Sequence, residues 1–333
     1  MKAYEIRSAG IDALHFCDRD VPGAGPGEVL VRVRACSVNY RDYLNILDPV
    51  GRGVPLPRTP NSDGAGEVVE VGEGVTRFCP GDRVIGTFFQ RWVSGGITSD
   101  VMASAMGGTF EGVLAEYVVL NENGLVAMPA HLTFQEASAL PCAALTAWHS
   151  LIEMGRLKAG ETVLLLGTGG VSVLALQFAV LSGAKVIITS SSDEKLARAR
   201  TMGAWRTINY KTNPDWEKAV LEITGGVGVD HVVEVGGAGT VERSVEAVRV
   251  GGTIGMIGVL TKGTLNATAV MRKSIRLQGI YVGSRCMFEN MNKAIVAHEM
   301  RPVIDRTFAL ADARDAFHCM AEAAHFGKIV ITL

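Results

Sequence analysis

Gly167, Gly169 and Gly170 follow the apolar run Val163–Leu166 and precede an uncharged stretch, Val171–Leu181. Glycine at this spacing lets the backbone approach an anion. A pyrophosphate lies on the N–H groups that open a helix, where the macrodipole favours negative charge, and side chains at Gly167 or Gly169 would obstruct the tight turn or the phosphate. The pattern G-x-G-x-x-G calls for a third glycine where Ser172 stands, a residue small enough to keep helix and strand close. Taken alone, the glycines also fit a plain turn between strand and helix. Roughly twenty residues on, where NAD sites place a carboxylate for the ribose 2′-hydroxyl, come Ser190, Ser191, Ser192 and Asp193. Hydroxyls there suit a 2′-phosphate, and Lys195 adds positive charge. The segment therefore implies an NADPH site, with Gly167, Gly169, Gly170, Val171, Ser190, Ser191, Ser192 and Lys195 as contacts. Asp193 also fits the N-cap of the following helix.

The elements that position these residues form a βαβ unit: strand Val163–Leu166, the glycine turn, helix Val171–Leu181 and strand Lys185–Thr189. Beyond it, strands at Arg206–Tyr210, His231–Val235, Gly252–Val259 and Ile275–Val282 alternate with helices at Glu194–Gly203, Asp215–Ile223 and Thr240–Val248. That alternation implies a parallel sheet with helices on both faces. Residues 1–125 read differently. Glu28–Ala35 alternates apolar and polar residues as a half-buried strand does, Gly66–Gly72 and Leu114–Leu120 are further strands, and Ser37–Leu47 reads as a short helix. Thr87–Gly112 is long and irregular, with Phe88, Phe89 and Trp92 near its start. A loop of that length is functional or mobile, unless the aromatics pack it down. Phe134–Met154 reads as helix, started by a Thr133/Glu136 capping box and expected to break at Pro141, with a new helix from Cys142. Met287–Met300 and Ala311–Ala324 are helices, and GKIVITL a last strand.

A chain of 333 residues exceeds one ordinary core, so two domains are expected. A net charge of −2 without a basic cluster argues against a nucleic-acid partner. The N-terminal MKAYEIRSAG lacks an apolar signal core, and glycines interrupt the apolar stretch at 163–181, so no membrane span is expected. Six scattered cysteines without a C-x-x-C pair read as free thiols in a reducing cytoplasm. The seven histidines are isolated, and no H-E-x-x-H occurs.

VRVRACSVNYRD, SDGAGEVVEVGEGVTRFCPGDRV, PCAALTAW, GTGGVS and FGKIVI, in that order along the chain, resemble the medium-chain dehydrogenase/reductase superfamily. The likeness is greatest to its zinc-lacking, quinone-oxidoreductase-like members. The resemblance implies an α/β protein: a GroES-like, mostly-β catalytic domain (1–128 and 287–333) into which a Rossmann doubly wound domain (129–286) is inserted. It implies NADPH as cofactor, a small-molecule carbonyl substrate, and a homodimer or tetramer.

The resemblance also assigns residues. The cysteine, histidine and cysteine that hold catalytic zinc in the zinc-dependent relatives fall on Asn39, Ser62 and Cys142. One thiol and two weak neutral oxygens do not make a catalytic zinc site, so no metal is expected. Zinc-free relatives carry asparagine and aspartate where Asn39 and Asp42 stand, and a tyrosine one residue past Tyr43, where this chain has Leu44. Asn39, Asp42 and Tyr43 are thus the implied catalytic residues. Asn39 can donate to a carbonyl or a ribose hydroxyl, although both it and Asp42 also fit helix capping. Thr146, Gly236, Ile257, Val259, Tyr281, Val282 and Gly283 are implied around the nicotinamide. Arg285 fits either a phosphate or ribose contact or a solvated surface arginine, and Lys328 corresponds to a basic cofactor-side residue. The rivals to a quinone or enone reductase are a zinc-free alcohol/aldehyde oxidoreductase and a crystallin-like NADPH-binding protein without catalysis.

Overall fold

The alternation in Glu28–Val38 buries Val29, Val31 and Val33 and leaves Arg32 exposed, as a strand with one face on a core requires. The computed structural model describes residues 1–333, and this strand is central to the first of two units. It pairs antiparallel with Asp63–Val71, Tyr117–Asn121 and Lys328–Thr332. The seven-stranded sheet is completed by Arg83–Gly86, Leu125–Ala127 and Ile304–Ala309, the last running parallel to Lys328–Thr332. Register sets the chemistry. Ser37 lies opposite Asp63, and Val38 opposite Ile329, so Lys328 arrives beside Asn39.

The second unit is a six-stranded parallel sheet. Its order is Arg206–Asn209, Lys185–Ser190, Thr162–Leu165, Val229–Glu234, Val248–Met256, Arg276–Gly279. The order reverses between Thr162–Leu165 and Val229–Glu234, the switch point where open α/β sheets bind ligands at their strand ends. The helix Gly170–Leu181 is apolar nearly all round and buries Val173, Leu174, Leu176 and Phe178. One mixed sheet and one parallel sheet make the two-domain α/β fold implied by the motifs.

The units are Met1–Leu145 with Val282–Leu333, and Thr146–Tyr281. The first therefore extends past the expected residue 128, because Phe134–Ala144 packs on the strands Glu28–Val38 and Asp63–Val71. It resumes before 287, because Arg285 and Cys286 N–H groups donate to Trp92 and Val93 carbonyls within the same unit.

Two local expectations need correction, and one pair of alternatives is decided. The helix expected at Ser37–Leu47 begins only at Tyr40, with strand continuing through Val38. Pro141 does not break the helical stretch. The capping box forms as expected, with Thr133 N–H donating to Glu136 at 2.8 Å, and helix Phe134–Ser138 then continues into a π-helical segment, Leu140–Ala144. Pro141 lies in that segment's first turn, where its missing N–H costs no bond. The long segment 87–112 is packed down: Phe88, Phe89 and Trp92 are buried, Arg41 lies 4.7 Å from the Phe88 ring centroid, and Asn45 donates to the Gly107 carbonyl at 2.9 Å. It includes one helical turn, Ser99–Met102.

Candidate active site

In the first unit, strand pairing and the start of helix Tyr40–Leu47 gather a buried polar cluster. Lys328 is 3% exposed; its ammonium donates to Asn39 Oδ1 at 2.5 Å and to the Val38 carbonyl at 3.0 Å. Asn39 Nδ2 donates to Ser62 Oγ at 3.3 Å, and Ser62 Oγ donates to Asp63 Oδ1 at 2.8 Å. Asp63 Oδ2 accepts from Cys142 N–H at 3.1 Å and lies 4.0 Å from Lys328 Nζ, while the nearby Ser37 hydroxyl donates to the Ser138 carbonyl at 2.8 Å. The four side chains Lys328, Asn39, Ser62 and Asp63 thus form a ring that hydrogen bonds traverse in one direction, closed by an ion pair.

Asp42 stands beside this ring. Its carboxylate accepts the Asn39 N–H at 3.1 Å and faces Arg41 Nη1 at 3.2 Å, so it caps the helix. Asn39 takes the N-cap position, while its side chain is committed to Lys328 and Ser62. Tyr43 is half-buried and packs on the apolar core, 5.6 Å ring to ring from Tyr40, and takes no part in the ring of hydrogen bonds. Burial pushes the Asp42 carboxyl up to about 6, with Arg41 opposing and Asp63 adding to the rise. A raised carboxyl contributes stability below its unfolded value and loses it as pH rises through the folded one. Asp42→Asn keeps an acceptor for the Asn39 N–H and removes the buried charge. The stability difference between variant and wild type, followed by the Tm of each across pH, should therefore move in the variant's favour between about pH 4 and 7, by roughly 3 kcal/mol at most. A difference independent of pH would disprove the raised carboxyl.

In the second unit, Gly167 has φ +71°, a conformation suited to glycine. Gly169 has extended backbone, and a Cβ there would meet no protein atom within 4 Å. Neither packing nor strain requires that glycine, and the open space beside it leaves room for a ligand to approach the backbone. No side chain caps helix Gly170–Leu181, so its N-terminal N–H groups at Gly170 and Val171 suit a phosphate. Ser172, at the third-glycine position, is buried and donates to the Leu166 carbonyl at 2.6 Å, fastening helix to strand. Gly167 N–H donates to Thr189 Oγ1 at 3.2 Å, and Thr168 and Ser190 hydroxyls meet at 3.2 Å. The second strand thereby stitches the glycine turn. Ser192, not Asp193, is the N-cap of helix Asp193–Thr201: its hydroxyl accepts the Lys195 N–H at 3.3 Å, while Asp193 accepts from Asn209 at 2.8 Å. Ser191 and Lys195 are half-buried at this helix start.

At the switch point the buried Glu234 holds the backbone. Its carboxylate accepts from Gly236 N–H at 2.8 Å, Gly237 N–H at 3.0 Å, Thr240 Oγ1 at 2.6 Å and Ser244 Oγ, and its carbonyl accepts from Ile257 and Gly258 N–H. Val259 is exposed just beyond, Thr146 is buried, and Tyr281 is exposed. Val282 and Gly283 belong to the first unit, where Val282 has φ +56° and a Cβ on Gly283 would meet Leu145 at 2.8 Å.

Two basic residues have partners within the first unit. Arg285 is engaged within the first unit, donating to Asn123 Oδ1 at 2.8 Å and facing Glu289 at 3.4 Å. Its guanidinium is thus shared between an amide oxygen and a carboxylate. Lys328, expected on the cofactor side, takes part in the Asn39 ring. The motifs did not reveal Glu234 or the ring itself. Glu234 had a signal: an acid that ends the apolar strand ahead of two glycines.

Comparison with known proteins places these features. The alcohol dehydrogenase GroES-like domain family matches residues 25–130, and the zinc-binding dehydrogenase family matches residues 170–297. A zinc-type alcohol dehydrogenase-like protein of Schizosaccharomyces pombe is 42% identical, covering 98% of this chain and 96% of its own. The quinone oxidoreductase of Pseudomonas aeruginosa is 32% identical, covering 97% and 96%. A solved structure from Sinorhizobium meliloti, named for alcohol dehydrogenase, superimposes with a TM-score of 0.93 at 40% identity, covering 100% of this chain and 98% of its own.

The chain belongs to the medium-chain dehydrogenase/reductase superfamily.

As a medium-chain dehydrogenase/reductase it is an oxidoreductase that uses a nicotinamide cofactor, and the second unit's turn and strand ends fit one. When bound, the cofactor supplies a hydride from its nicotinamide ring. Gly167, Gly169 and Gly170 would receive its phosphates and the backbone at Gly236 and Ile257–Val259 its nicotinamide end.

Zinc does not fit. Asn39 Oδ1 is taken by an ammonium, Ser62 Oγ gives its proton to Asp63, and burial, reinforced by Asp63, holds the Cys142 thiol well above its ordinary range. No group of three His, Cys, Asp or Glu side chains is placed to hold a metal.

Proposed function

We propose that this enzyme reduces conjugated carbonyl compounds, quinones or α,β-unsaturated ketones and aldehydes, using NADPH. The observation that carries this reading is the Asn39 ring. It offers a buried, preorganised N–H donor backed by a cation, in place of a Lewis acid. As hydride reaches a conjugated acceptor, charge delocalises onto oxygen, and a fixed donor in a water-poor site stabilises it. A simple alcohol must lose a proton as well as a hydride, and a metal that lowers its pKa is the usual means. The likeness to a quinone oxidoreductase supports the substrate class. The hydroxyls of Ser190, Ser191 and Ser192, in place of a terminal carboxylate, support NADPH.

Stopped-flow oxidation of NADPH against a panel of enones, quinones and aldehydes tests the reading. Turnover of an enone or quinone should exceed oxidation of ethanol or propanol. Good turnover of simple alcohols with none of the conjugated acceptors would favour an alcohol dehydrogenase. No turnover with tight NADPH binding would favour a non-catalytic nucleotide-binding protein.

The homodimer is part of the same proposal. Arg276–Gly279 ends the parallel sheet and pairs on one side only, and the segment leading to it leaves Val259, Leu260, Leu265 and Met271 exposed. An open edge with apolar neighbours is suited to pairing with its own copy. Light scattering should give twice the 35.4 kDa chain mass, and Val259→Glu with Met271→Glu should reduce it to one. A monomeric wild type would overturn this assignment.

A further inference from the structure

We propose that Lys328 is a positioning residue for carbonyl reduction: its buried ammonium fixes the Asn39 amide so that one Nδ2–H faces the substrate oxygen. The inference rests on the reading of Asn39 as the carbonyl donor.

An asparagine amide has two ends of nearly equal shape, and only its partners decide which end faces where. Here both partners are unambiguous. An ammonium only donates, so the amide atom 2.5 Å from Lys328 Nζ is the oxygen. At the other side of the ring a carboxylate only accepts, so the Ser62 hydroxyl points its proton at Asp63 Oδ1, 2.8 Å away. The Ser62 oxygen is then left to accept from Asn39 Nδ2 at 3.3 Å. The amide orientation is therefore imposed twice, once by the cation and once by the anion.

The donors can be followed through the ring. Lys328 uses one hydrogen on the Val38 carbonyl and one on Asn39, and the ammonium lies 4.0 Å from Asp63. Ser62 uses its single hydrogen on Asp63. Asn39 uses one amide hydrogen on Ser62, and the second takes no part in the ring. With Lys328 absent, the amide oxygen loses its only charged partner, and the amide can rotate to direct oxygen, an acceptor, where a carbonyl or enolate needs a donor. Lys328 itself has no path to the substrate in this arrangement. It is 3% exposed, and Asn39 and the Val38 carbonyl engage it.

Two readouts test this in the full-length protein. In the first, asparagine is labelled with ¹⁵N, and the Asn39 side-chain signals are assigned by their loss in Asn39→Asp. In wild type the pair should be well dispersed and slowly exchanging; in Lys328→Met it should collapse toward exchange-averaged positions while the other asparagines stay in place. This readout needs no turnover. The second is a kinetic cycle with the conjugated acceptor. Lys328→Met should lower kcat/KM by about 10–100-fold with the KM for the nicotinamide cofactor unchanged. In the Asn39→Ala background, which removes the amide without setting a new charge beside the ammonium, the same substitution should change kcat/KM by no more than about twofold. Unmoved Asn39 signals in Lys328→Met, or an equal kinetic loss in both backgrounds, would overturn the assignment. A raised cofactor KM would return Lys328 to the cofactor side. If instead the Asn39 signals collapse but Asn39→Asp reduces the acceptor as fast as wild type, positioning stands and the reading of Asn39 as the carbonyl donor falls.

Discussion

Ser190→Asp is expected to reverse the cofactor preference, raising the KM for NADPH on the order of 100-fold while lowering that for NADH. Ser190 ends the second strand of the parallel sheet, where a 2′-substituent is read, and is 3% exposed. Its hydroxyl touches Thr168 Oγ1 at 3.2 Å and accepts the Ser192 N–H at 3.4 Å, so its place is set by the glycine turn itself. A carboxylate there keeps both donors, Thr168 O–H and Ser192 N–H, so the variant should fold. It also sets a negative charge against a 2′-phosphate, and like charges brought together cost several kcal/mol, with about 1.4 kcal/mol per tenfold in affinity. The same carboxylate accepts a ribose 2′-hydroxyl. Titration of both nucleotides into wild type and variant decides the matter. Equal or tighter NADH binding by the wild type would show that the serines do not select the phosphate.

The second expectation is that catalysis is independent of zinc. Protein purified without added metal should contain well under one zinc per chain and keep its NADPH-dependent turnover through prolonged chelation. Zinc requires deprotonated thiolate, neutral imidazole or carboxylate in a convergent set. Of the positions that correspond to the family's ligands, Asn39 and Ser62 are occupied in the ring, and the Cys142 thiol is driven toward its protonated form by burial. Asp63 could contribute a carboxylate, but it already accepts from the Ser62 hydroxyl and the Cys142 N–H. A zinc ion would also have to displace or neutralise the neighbouring lysine ammonium, at several kcal/mol for cations held in contact. Stoichiometric zinc, with activity lost on chelation and restored by zinc alone, would refute the assignment of Asn39 and Ser62.

What was legible in the sequence follows the range of the forces involved. The nucleotide half is built from short-range patterns, so Gly167–Gly170, the serines at 190–192 and the alternation of strand and helix showed themselves within about thirty residues of one another. Asn39 and Asp42 were visible as a pair at helix-cap spacing, and both turned out to take part in the cap. The ring was not visible, because Lys328 and Asn39 are 289 residues apart and meet only through strand register. No periodicity carries that information. Pro141 misled for a different reason: the usual cost of proline assumes an α-helix, and a π-helical turn absorbs it. The partners of Arg285 were not legible either, because Asn123 is 162 residues away and no local pattern ties the two together.

The pairing of Lys328–Thr332 with Glu28–Val38 also sets an order of events during synthesis. Residues 146–281 contain every strand of their own sheet and are complete before Lys328 is made. That half can fold while the ribosome is still at work, since domains fold as units from the N-terminal side. The first unit must hold its sheet open across the whole of that interval, and contacts of such long separation close slowly. A nascent chain stalled just short of Lys328 therefore has every strand of the nucleotide half and no cation beside Asn39. Asn39 thus gains its cation only after the nucleotide half is complete.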